Sequence, residues 1–134
     1  MISKNTNATL TLTTVSRSDD VQKNTFTYPA FFCRKKDTYY ISFENEEPNI
    51  IIIKQNEVRL SKPNSNTVLC FEQGCEHVSN YMTPVGKINV SVFTHKLLNQ
   101  FHDQRRIFIK YRLEFNESVT TENDITIKIQ ENKK

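Results

Sequence analysis

The sequence predicts an all-β protein, a single antiparallel meander β-barrel of about eight to ten strands. Three observations predict it. Apolar residues recur at every second position in six separate segments, the pattern of strands with one buried face. Turn-forming residues separate these segments about every ten positions, the spacing of barrels and sandwiches built from hairpins. The 134 residues contain no repeat, linker or low-complexity tract, so one domain, 1–134, is expected.

The elements follow in order. Alternation begins in "ATLTLTTV", where Leu10 and Leu12 alternate with threonines. "FTYPAFF" sets Phe26, Tyr28, Ala30 and Phe32 on one face. Pro29 lies inside that run and cannot donate to a ladder, which predicts a bulge or an edge position. "DTYYISFE" repeats the pattern with Tyr39, Ile41 and Phe43, and "ENEEPN" then reads as a turn. "NIIII" and "VRL" are joined by "KQNE", with Asn56 at a tight turn and Val58 and Leu60 directed inward.

"KPNSN" marks the next break, and Pro84 marks a bend after Thr83. "KINVSVF" directs Ile88, Val90 and Val92 inward. "THKLLNQFHDQRR" places Leu97, Leu98 and Phe101 at helix-like spacing. A helix that short does not stand without packing, and the stretch reads better as a strand running into a hairpin tip. "RIFIKYRLEF" is the clearest strand, with Ile107, Ile109, Tyr111, Leu113 and Phe115 on one face. "DITIKIQ" closes with Ile125, Ile127 and Ile129.

A meander of this length closes on itself to remove exposed edges. At eight to ten strands the interior is either just filled by side chains or holds one small ligand. That choice is the functional question.

Composition narrows the answers. Eighteen basic against fifteen acidic residues give a formal charge of +3, whereas a nucleic-acid interface wants a strongly basic face. The basic clusters Arg34-Lys35-Lys36 and Arg105-Arg106 fall at hairpin ends, and Glu44, Glu46 and Glu47 offset the first. No nucleic-acid partner is expected. No apolar run approaches the ~18 residues of a membrane span, and the polar start "MISKNTNATLTL" has no signal-peptide core. A cytoplasmic location without membrane association is expected.

Cys33, Cys70 and Cys75 are an odd number in such a chain, which argues for free thiols. The C-x4-C-x-H spacing of Cys70, Cys75 and His77 matches no usual zinc pattern. Neither a metal nor a cofactor is expected.

Residues 71–87, "FEQGCEHVSNYMTPVGK", contain both glycines, Gly74 and Gly86. Between them His77, Ser79, Tyr81 and Thr83 share one face of an extended strand. Four hydrogen-bonding side chains in a row make this the candidate ligand-binding site, with Glu72 and Arg112 as facing partners. A structural polar network has the same geometry, and the residues alone leave the two open. No catalytic residue is assigned. Ser79 and His77, two apart on a strand, are separated by roughly 7 Å, beyond a direct hydrogen bond. Two glycines so placed build no phosphate loop.

Phe71, Gly74, Ser79, Tyr81, Thr83, Gly86 and Thr94 lie inside "FEQGCEHVSNYMTPVGKINVSVFT", supported by the aromatic strand before "KKDTYYISF" and by "IKYRLEF". On these residues the chain resembles the YwiB-like family, small bacterial proteins with a calycin-like (lipocalin-fold) β-barrel and no established activity. The resemblance spans nearly the whole chain. Members often carry a glycine in the turn before the penultimate strand, where this chain has "HDQR". The resemblance implies a barrel that takes a small apolar or amphipathic ligand in its lumen or mouth. The alternative is a filled barrel serving as a protein-interaction module or homodimer without ligand. An enzyme is the third and least supported reading.

Overall fold

Period-two patterning becomes ten strands in the computed structural model, which describes residues 6–17, 20–65, 67–116 and 119–132; the side chains of 65, 67, 81–83 and 119 lie outside that description. The strands are β1 (Ala8–Arg17), β2 (Val21–Lys35), β3 (Thr38–Asn45), β4 (Glu47–Ile53), β5 (Glu57–Lys62), β6 (Thr67–Glu72), β7 (Glu76–Thr83), β8 (Gly86–Gln100), β9 (Arg106–Phe115) and β10 (Val119–Glu131). One helical turn, α1 (Phe101–Gln104), joins β8 to β9. All ten strands form one antiparallel sheet in the order β6-β5-β4-β3-β2-β1-β10-β9-β8-β7. Among the described residues only chain neighbours and the β1–β10 pair form ladders, so the sheet is a meander nearly closed into a barrel.

Antiparallel succession sorts the connections to two ends. The lower end carries Lys36–Asp37, Lys54–Asn56, Gln73–Cys75 and α1. The upper end carries Glu46, a 3-10 turn at Pro63–Ser65, and the Pro84–Val85 turn. Interior residues lie opposite one another in register: Leu10 with Tyr28 and Ile129, Ile41 with Ile51, Ile109 with Leu97 and Ile125. The core includes Leu10, Ile41, Ile51, Ile53, Val58, Phe71, Phe101, Ile107, Ile109 and Ile127.

The lower end is plugged. Phe101 is completely buried and meets the rings of Tyr39 at 4.8 Å and Phe32 at 5.7 Å, both edge-on, an arrangement aromatic quadrupoles favour. Arg105 lies over Phe32, Tyr39 and Phe101 at 5.1, 5.3 and 5.5 Å. Asn7 brackets the Phe32 backbone, accepting from its N–H at 2.8 Å and donating to its carbonyl at 2.9 Å. Asn99 donates to the carbonyls of Lys54 and Gln55 and accepts from the Phe101 N–H, tying β8 to the β4–β5 turn.

Several expectations are corrected. Phe26 is 45% exposed rather than inward. It pairs with Leu12 in β1, but β3 pairs β2 only from Ala30 to Lys35, so no neighbouring strand continues beside it. The same fact explains Pro29, which sits on this locally free edge and not at a bulge. The irregularity in the sheet lies instead between Thr94 and Lys96, where His95 is the extra residue against β9. Pro48 is inside β4 opposite Glu44; the turn is made by Glu46 alone, at φ 69. "THKLLNQFHDQRR" stays a strand to Gln100 and only then coils for one turn.

Candidate functional site

The row on β7 is placed by its ladder with β8. His77 pairs with Val92 and Ser79 with Val90, and both valines are buried in the core. Tyr81 and Thr83 pair through their backbones with Ile88 and Gly86; their side chains lie outside the described residues. Opposite β7 stands β6, the other end of the sheet. No backbone ladder joins these two strands among the described residues. Side chains bridge them: Ser79 Oγ donates to the Val68 carbonyl at 2.8 Å, and His77 Nε2 lies 3.0 Å from Glu72 Oε1.

The β6–β7 turn is anchored beneath this seam. Cys75 N–H donates to the Glu72 carbonyl at 3.0 Å, with Gly74 at φ 77, a backbone setting that favours glycine. Gly74 N–H donates to the Thr94 carbonyl at 2.8 Å, and Thr94 N–H donates to the Cys75 carbonyl at 3.2 Å. Gln73 Oε1 accepts from the Leu97 N–H, past the bulge. Of the row, His77 thus meets Glu72 and Ser79 meets a backbone carbonyl of β6.

Arg112 does not join them. Its register neighbours are Phe93 and Glu122, one step out of phase with the buried Thr94–Tyr111 pair, so it belongs to the outer face. There its guanidinium lies 5.2 Å from the Phe93 ring. His95 meets the same ring edge-on and contacts Glu122 Oε1 at 3.0 Å. The phase of "RIFIKYRLEF" already placed Arg112 opposite to Tyr111, and that signal outweighs a partnership chosen by charge.

Cysteine chemistry is muted. Cys33, Cys70 and Cys75 are free. Cys70 Sγ donates to Glu57 Oε2 at 3.0 Å, and burial, then that carboxylate, pushes the thiol up to about 12. Reactivity needs the thiolate, so Cys70 is inert at neutral pH. Among the described residues no three His, Cys, Asp or Glu side chains are grouped to hold a metal. No helix among them is long and apolar enough to cross a membrane.

Burial along the interior is graded, a feature the sequence did not display. Below the middle most inward apolar side chains are buried, with Leu97 the half-buried exception. Phe71 and Tyr111 cross the lumen edge-on at 4.8 Å. Above that pair Val90 and Val92 are still buried, but Leu12, Tyr28, Phe43, Leu69, Leu113 and Phe115 pack on the core and stay partly exposed. Thr94 lies at the level of Tyr111, has no exposed surface, and its Oγ1 has no hydrogen-bond partner. Burial, then the charge of Asp124, pushes the Tyr111 phenol up to about 12. The upper half thus carries partly exposed apolar side chains above two buried hydroxyls, those of Thr94 and Tyr111.

Residues 10–127 match the family described as "Domain of unknown function (DUF1934)". The chain belongs to the DUF1934 family. This DUF1934 chain is also similar in structure to the ywiB protein from Bacillus subtilis, with a TM-score of 0.78 over 96% of this chain and 93% of that one, at 16% sequence identity. The resemblance to YwiB-like proteins holds, and at that identity the structural likeness is one of fold. No curated protein matches the DUF1934 chain in sequence.

Proposed function

We propose that this protein binds a small, partly apolar ligand in the upper half of its barrel, in the cytoplasm and without enzymatic turnover. The observation that carries the proposal is the graded burial of the inward face. A filled barrel would bury Tyr28, Phe43, Leu69 and Leu113 as completely as Ile41, Ile51 and Ile109, yet the first four stay partly exposed. Ligand sites are mostly apolar concavities with few polar anchors. Thr94 Oγ1 and the Tyr111 hydroxyl supply anchors at the floor, and an unpaired buried hydroxyl costs about 1–3 kcal/mol until something bonds it. The calycin-like resemblance agrees, as analogy. His77, Ser79 and Glu72 then hold the wall closed beside the mouth.

Native mass spectrometry of protein purified from its own host tests this. The spectrum is expected to show the chain with a retained small molecule, lost in Leu113→Lys. The bare chain mass alone, together with no uptake of an apolar fluorescent probe, would overturn the reading.

A second reading rests on β2. From Val21 to Pro29 this strand has β1 as its only ladder partner among the described residues, and residues 21–27 are all exposed, Val21 at 70%. A free edge of this length is a template for strand pairing, which would make the protein a homodimer or an interaction module. Light scattering that shows a dimer, converted to monomer by Phe26→Lys, would favour it.

A further inference from the structure

The lower end of the barrel carries a concavity, at the opposite end from the proposed ligand site. It is a hollow of about 360 Å3, within the range of small-ligand sites. Tyr39 and Ile53, both almost wholly buried, lie on its wall. Around them stand Arg34, Lys54, Asn99 and His102. We propose that this hollow binds a small organic anion, its carboxylate or phosphate group held by Arg34 and Lys54 and its body resting on Tyr39 and Ile53.

The cations there are undercommitted. Arg34 Nε donates to the Lys36 carbonyl at 2.8 Å, which fixes the guanidinium 5.5 Å from the Tyr39 ring. Its nearest carboxylate, Asp37, is 4.0 Å from Nη2 and 99% exposed. That is beyond hydrogen-bond distance, and an exposed pair of this kind contributes little. The two Nη groups are left to present the planar fork that suits carboxylate and phosphate. Lys54 has no carboxylate within ion-pair distance among the described residues.

The surroundings are preorganised. Asn99 Nδ2 bonds the Lys54 and Gln55 carbonyls at 3.0 and 3.2 Å, which fixes the backbone that carries Lys54. Tyr39 Oη lies 3.0 Å from His102 Nδ1. Where the phenol donates to Nδ1, the Nε2–H of His102 is left to donate at the rim. Lining charges are thus two cations against one solvated carboxylate. A neutral ligand would find no use for the first two.

The test titrates full-length protein with phenyl phosphate, benzoate and benzyl alcohol, read by calorimetry and amide chemical shifts. Both anions are expected to shift Arg34, Tyr39, Lys54, Asn99 and His102, while benzyl alcohol leaves them unmoved. The order of the two anions identifies the group preferred. Arg34→Gln with Lys54→Gln should weaken binding at least tenfold, and Arg34→Gln alone should weaken it should the double variant melt early. Equal binding of benzyl alcohol, or undiminished affinity in a folded variant, would sink the proposal. So would shifts confined to Leu69, Leu113 and Phe115, which would leave the mouth reading standing.

Discussion

Ser79 Oγ donates to the Val68 carbonyl at 2.8 Å, joining β7 to β6 across the seam where no backbone ladder runs among the described residues. The His77–Glu72 contact at 3.0 Å lies lower on the same seam. At this seam β6 and β7 are joined by side chains, whereas the other neighbouring strands of the sheet pair through backbone ladders. Ser79→Ala should cost about 0.5–1.5 kcal/mol, the net worth of one hydrogen bond. Amide exchange should quicken at Val68–Phe71 and His77–Ser79 ahead of the other strands. Unchanged exchange there would show that the seam holds without Ser79.

Thr94→Val removes a buried hydroxyl that has no partner. Apo stability should hold or rise by about 1 kcal/mol, because the desolvation cost disappears with the group. Retained-ligand occupancy should fall if Thr94 is an anchor of the mouth. A loss of stability in urea melts would mean that Oγ1 is bonded in solution and belongs to a structural network.

Alkaline pH should destabilise the fold through Tyr111. Its phenol rises from an ordinary 10 to about 12 because burial, then Asp124, opposes ionisation. The folded chain therefore holds a proton that the unfolded chain releases. The contribution is complete below pH 10 and is lost as pH rises from 10 to about 12. Two units correspond to roughly 2–3 kcal/mol. Cys70, raised from 9.0 to about 12, acts in the same direction from pH 9 upward. Tyr111→Phe should flatten the pH dependence of stability above pH 10. Superimposable curves for the two proteins would refute the assignment.

Arg105 holds a left-handed conformation, φ 54 and ψ 41, in the turn between α1 and β9. A non-glycine residue there costs about 1–2 kcal/mol. The side chain offsets that cost: Nη1 donates to the carbonyls of Phe101 and His102 at 2.9 and 3.2 Å, and Nε donates to Glu131 at 3.0 Å. Arg105→Gly gives up those bonds but relieves the backbone, whereas Arg105→Lys keeps the strain and loses the planar fork. Urea midpoints should fall in the order Arg105, Gly, Lys. A lysine variant more stable than the glycine variant would show that charge alone matters here.

Ile109→Ala should cost about 2–5 kcal/mol, the range for a truncated core isoleucine. Phe26→Ala, at a 45% exposed position, should cost well under that. Equal losses in thermal or urea melts would mean that the barrel continues around Phe26 in solution.

Alternation along the chain is enough to establish the all-β class, the meander and the facing of most strands. Strict alternation fixes a strand's buried side without reference to its neighbours, as in Ile107, Ile109 and Tyr111, or Val90 and Val92. Departures occur where alternation fails or where a neighbour decides. The run Ile50–Ile53 carries no phase, and only pairing with Tyr39 and Ile41 turned Ile51 and Ile53 inward. Phe101 became the plug of the lower end because α1 folds it back onto Tyr39 and Phe32, contacts more than 60 residues away in sequence. Phe26 alternates correctly but has no strand beside it on one edge. The polar row of β7 was legible as a row. That Ser79 and His77 bridge the two free edges of the sheet was decided by tertiary structure, since local periodicity assigns a side chain to a face and only the closing of the sheet determines what stands opposite.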